Sequence, residues 1–173
     1  MKQIYDFIWG LQSKIHYDLR QLSDDLQLVN ARFVILYFAI FGYLNCLQWC
    51  IIYFFICEMI RFVLRSCIEE KRPCFSDGYD FEKKLHFNLI STNSFPSGHA
   101  NVTFGSAFFM FYVSPVVGYI GILLALFVCF LRLIVKSHWI SDVVFIVIVN
   151  FFVWLYIDIT YLDSCGINNL LLR

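Results

Sequence analysis

Between residues 3 and 29, apolar side chains recur at Ile4, Ile8, Leu11, Ile15, Leu19, Leu22, Leu26 and Val29. Steps of three and four draw one stripe down a helix. Lys2, Asp6, Lys14, Asp18, Arg20, Asp24 and Asp25 occupy the other faces. The pattern predicts an amphipathic helix over residues 1–30. Two placements fit it: in the headgroup plane with Tyr5, Trp9 and Tyr17 as interfacial anchors, or packed on a bundle or a second copy of the chain. The start lacks a compact apolar core and a small-residue cleavage site, so no secretory signal is expected.

Phe33 to Cys57 contains no charge, and the helical pattern continues to about Leu64. Roughly 30 residues make on the order of 45 Å of helix, longer than a bilayer core but short for two spans and a turn. One long tilted span is therefore expected, with Glu58, Arg61 and Arg65 sharing a face of its last turns. Residues 66 to 95 are polar and rich in turn formers, and read as a surface loop with a short helix near Phe81 to Leu89. The next uncharged run, Ala100 to Leu131, is interrupted by Ser114-Pro115 and by Gly118 and Gly121. It predicts two spans, 98 to 113 and 117 to 135, and a last span follows from His138 to Tyr161. The expected fold is an all-α polytopic membrane bundle. It has about four transmembrane helices over residues 31–173 and an amphipathic helix before them.

Composition supports a lipid solvent. The 173 residues are 60% hydrophobic and 15% charged, with a mean hydropathy of +0.70. A soluble domain of this length has too little interior for that much apolar surface. The formal net charge is zero, and no basic stripe suits a nucleic-acid partner. Of the seven cysteines, most lie in apolar runs, where a thiol acts as a small hydrophobe. Cys67 and Cys74 could bridge in an oxidising compartment.

Three polar clusters interrupt this apolar background: Arg65 with Arg72-Pro73, then Pro96-Ser97-Gly98-His99, then Arg132 with His138 and Asp142. On the predicted topology all three fall at helix ends on one membrane face. Guanidinium and imidazole groups are costly in hydrocarbon and there mark function by default. The set resembles the signature of the type 2 phosphatidic acid phosphatase family over residues 58 to 145. Arg65 stands where that family usually has Lys, and Leu131 where it usually has Ser.

The resemblance implies an integral-membrane phosphatase acting on a lipid phosphate or diphosphate. Arg65, Arg72 and Arg132, with the Ser97 and Gly98 backbone N–H groups, would hold the phosphoryl oxygens. His138 would attack phosphorus to give a phosphohistidine, Asp142 would accept from its other ring nitrogen, and His99 would serve as acid and then base. No cofactor or metal is expected, since the arginines neutralise the charge. The expected partners are the lipid phosphate substrate and membrane lipids, with a homo-oligomer possible. The expected location is a bacterial inner membrane with the site facing outward. Glu58 is expected to pair with Arg61, and Arg61 and Lys136 to meet headgroups, solvent or, for Lys136, substrate. His16 and His86 read as interfacial anchors. Two other functions fit the residues: phosphoryl transfer to a second lipid from the same site, and headgroup binding without catalysis.

Overall fold

A computed structural model describes the backbone of residues 2–73 and 93–162, and the side chains of 14–73 and 93–160. The short helix expected near Phe81 to Leu89, His86, Cys74 and the tail after residue 162 lie outside the described residues; Cys67 carries a free thiol. Five helices account for most of the rest: α1 (Lys2–Ile40), α2 (Leu44–Cys67), α3 (Gly98–Met110), α4 (Pro115–Ile134) and α5 (Ile140–Ile157). A π-helical turn, Asp158–Leu162, ends the last of them. The protein is an all-α membrane bundle. Among the described helices, three are long and apolar enough to cross a bilayer: Leu44–Cys67, Pro115–Ile134 and Ile140–Thr160.

That count is three where the sequence pattern predicts four. The helix α3 has 13 residues, about 20 Å, which is shorter than a hydrocarbon core. It sits at the centre, packed against α4, α5, α1 and α2. It still carries the chain from one end of the bundle to the other: Gly98 shares the cavity with Arg132, while Phe111 lies beside Gly118 at the start of α4. Every residue from Thr103 to Met110 is buried. Gly105, Ser106 and Ala107 let neighbouring helices approach closely, as small residues do in membrane bundles.

The single span predicted through residue 64 is also two helices. Helix α1 runs 39 residues without a break to Ile40, then stops at Gly42, whose φ is 74°. Tyr43 N donates to Phe38 O at 2.9 Å across that stop, the long bond of a Schellman turn that needs a left-handed residue. The apolar residues 33–40 end one helix and α2 begins the next. At the far end of α3, Ser114 caps α4 by accepting from Val117 N at 3.2 Å, with Pro115 in the first turn.

The stripe of α1 faces the other way from a soluble helix. Ile15, Leu22 and Val29 are 51%, 41% and 53% exposed, whereas Ser23, Asn30, Val34 and Phe38 are buried. Lipid is as apolar as leucine, so burying the stripe gains little, and small or polar residues make the helix contacts. Asn30 Nδ2 donates to Gly121 O at 3.4 Å, and His16 Nε2 donates to Val135 O at 2.8 Å. His16, read as an interfacial anchor, thus ties α1 to the end of α4.

A buried polar chain crosses the bundle. Tyr53 OH donates to Asn150 Oδ1, Asn150 Nδ2 to Asn101 Oδ1 at 2.8 Å, and Asn101 Nδ2 to Glu58 Oε1 at 2.6 Å. A Cβ built on Gly105 would lie 2.7 Å from a Tyr53 ring carbon and 3.1 Å from Asn150 Oδ1. Gly105→Ala should therefore destabilise the bundle by about 1–3 kcal/mol, the usual cost of overpacking a filled core. Thermal unfolding in detergent measures this, and an unchanged midpoint would show that Tyr53 can move aside freely.

Candidate active site

The three polar clusters converge at one end of the bundle on a cavity of about 260 Å³. It is lined by Arg65 and Arg72, by Gly98 and His99, and by Arg132 and His138. These come from the end of α2 and the segment after it, the start of α3, the end of α4 and the turn before α5.

Local bonds explain how each reaches the cavity. Helix α2 ends with carbonyls that need donors. Asn93 supplies them: its Nδ2 donates to Arg65 O at 3.0 Å and to Ile68 O at 2.6 Å, while its Oδ1 accepts from Phe95 N at 3.1 Å. Arg65 Nη2 donates to Asn93 O at 3.3 Å in return. The segment entering α3 is thereby tied to the end of α2. Arg72 is buried, and its Nη1 donates to Ser137 O at 3.3 Å. Ser97 caps α3, its Oγ accepting from Ala100 N at 3.4 Å. Its own N–H donates to Asp142 O at 3.3 Å, so of the two expected backbone donors only Gly98 remains on the cavity wall.

His138 is buried, and its Nδ1 lies 2.8 Å from Ser94 O. A carbonyl only accepts, so Nδ1 carries the proton and Nε2 keeps its lone pair. The nearest Asp142 oxygen is 3.6 Å from Nδ1, beyond hydrogen-bond range. The sequence reading gave this acceptor role to Asp142, but the Ser94 carbonyl fills it. Asp142 instead accepts from Trp139 N at 2.8 Å and holds a negative charge at the start of α5, where the helix dipole favours it. Burial holds the His138 pKa below its ordinary value, with Arg72 adding to the effect and Asp142 opposing it.

His99 is held down further, to about 4, first by burial and then by Arg132, against the pull of Asp24. Its Nε2 donates to Asp24 Oδ1 at 2.6 Å, and Arg132 Nη2 lies against both groups. The Asp24 carboxyl lies below its ordinary range: burial raises it, but the hydrogen bond from His99 and the charge of Arg132 outweigh that.

Asp24, Arg20 and Arg61 all line the cavity, yet the sequence pattern sets them on solvent or headgroup faces. Glu58 pairs with Arg61 as expected, at 2.6 Å, and both reach the cavity wall. Lys136 does not line it. That residue is exposed in the turn after α4 with φ of 51°, a left-handed backbone uncommon outside glycine. Leu131 is buried in the bundle, so the side chain preceding Arg132 brings no hydroxyl.

Fold and site together define a membrane protein whose helix ends hold two histidines inside a ring of guanidinium groups. A family model described as the PAP2 superfamily matches residues 32–162. The chain belongs to that superfamily, and membership supports a phosphatase-type, hydrolytic function. No curated protein and no solved structure matches the chain.

Proposed function

We propose that this protein hydrolyses the phosphate or diphosphate ester of a membrane lipid through a phosphohistidine on His138. The observation carrying this reading is the convergence of His99, His138, Arg65, Arg72 and Arg132 on one cavity at the helix ends. Phe62, Val63 and Ile140 are exposed apolar neighbours of Arg61, Arg65 and His138 in the chain, which suits a substrate with a charged head and an apolar tail.

In the first half, the His138 Nε2 lone pair attacks phosphorus and the P–N bond forms as the P–O bond breaks. The leaving oxygen keeps that electron pair and takes the proton of a His99 imidazolium. In the second half, neutral His99 removes a proton from water, and the oxygen attacks phosphorus. The P–N pair returns to Nε2, releasing phosphate. The guanidinium groups bear the charge on the equatorial oxygens, so the reaction is expected to need no metal. The same reading sets the protein in a bacterial inner membrane with the site outward.

Phosphate release from a panel of lipid phosphates in detergent with EDTA tests this. Release points to a metal-independent phosphatase. Silence from folded protein, or passage of the phosphoryl group to an added lipid acceptor without release of phosphate, would sink it.

The pH dependence has a definite sign. His138 must be neutral and His99 protonated, and in the free site both pKa values lie below the ordinary 6.5. The productive pair is most populated between two depressed values, so kcat/KM should peak on the acidic side of pH 6.5 and fall as pH rises through neutrality. A profile that climbs through pH 7 would contradict these assignments.

A further inference from the structure

We propose that Asp24 of α1 is a positioning residue for catalysis, holding His99 as the acid that protonates the leaving oxygen. The inference rests on the phosphatase reading of the site and extends it to a helix segment that precedes residues 32–162, the part matched by the superfamily.

Three observations carry it. First, one oxygen of Asp24 contacts both groups the reaction would use: Oδ1 accepts from His99 Nε2 at 2.6 Å and from Arg132 Nη2. The second carboxylate on the cavity is anchored differently, since Glu58 Oε1 accepts from Asn101 and Oε2 from Arg61. Second, α1 turns this carboxylate inward. The face bearing Arg20, Ser23, Asp24, Gln27 and Asn30 meets the bundle while the apolar stripe faces out. An acidic group turned toward a site that must bind phosphate repels its ligand, so the arrangement calls for a compensating role. Third, His99 sits half-buried beside Arg132, where an imidazolium is disfavoured both by desolvation and by the neighbouring charge. A carboxylate in direct contact is the nearest group that offsets both effects and fixes the ring.

A residue that serves the acid matters only when the leaving group needs a proton. An alkoxide leaves poorly without one, whereas p-nitrophenolate leaves unaided. Asp24→Asn and Asp24→Glu would be compared with wild type on octyl phosphate and on p-nitrophenyl phosphate. Both esters are run on one preparation, so the ratio of the two rates does not depend on the fraction folded.

The expected result is a kcat loss of about 10- to 100-fold for Asp24→Asn on octyl phosphate, the worth of one charge-assisted hydrogen bond. On the aryl ester the loss should stay within about threefold, and Asp24→Glu should recover part of the alkyl rate. Equal losses on both esters would reduce Asp24 to a structural counter-ion of Arg132 and overturn the inference. So would unchanged rates, or a gain of activity, which would make Asp24 an obstruction to phosphate. Wild type silent on both esters would remove the phosphatase reading itself, and this inference with it.

Discussion

His138→Ala should lower phosphate release by about 10⁴-fold or more, the scale seen when a nucleophile is removed from a working site. The argument lies in the ring's two nitrogens. Nδ1 is tied to the Ser94 carbonyl at 2.8 Å, so the lone pair is confined to Nε2, and the residue lines the cavity. Alanine leaves phosphorus with no in-line attacking atom, and the remaining guanidinium groups can only bind. Rapid quench in alkaline detergent with labelled substrate should trap a phosphorus label on wild type and none on the variant, and the label should be lost in acid. Turnover that survives in folded His138→Ala protein would mean that water attacks directly.

Arg132→Ala should cost about 10²- to 10³-fold in kcat, as loss of one strong donor to a developing charge does. Arg132 is 2% exposed, so its charge acts with little screening. Its removal also leaves Asp24 facing the incoming phosphate without its cation. Arg132→Lys should recover only part of the rate, because a point ammonium cannot match a planar fork. Kinetics with a parallel melting curve separates this from misfolding. A loss confined to KM would show that Arg132 binds ground and transition states alike.

The residues that make the cavity were legible in sequence where their spacing was local. Pro96 to His99 and the four-residue step from His138 to Asp142 each sit on one turn, and their meeting follows once helices end on a common face. The partner of His138 Nδ1 was not legible, since a backbone carbonyl 44 positions away has no side-chain signature. Asp24, Arg20 and Arg61 were missed for a different reason. An apolar stripe predicts the buried face only when water is the alternative; in lipid the small and polar face packs. The run of Ser23, Gln27 and Asn30 beside Val34 was the available sign. Gly42 was likewise visible in the apolar run, and a left-handed stop there would have divided the predicted long span. The shortness of α3 was legible too, since Ser114-Pro115 confines the expected helix to residues 98 to 113, already short for a hydrocarbon core.

Apolar helices in lipid can slide past one another at little cost, because leucine against leucine differs little from leucine against an acyl chain. The bonds joining Tyr53, Asn150, Asn101 and Glu58 remove that freedom from α2, α3 and α5 together. A slip of one helical turn, about 5.4 Å, would break the chain and strand buried amides with no water to receive them. Since Glu58 in turn grips Arg61 at the cavity wall, the registry of three helices inside the bundle fixes the height of a cation at its end.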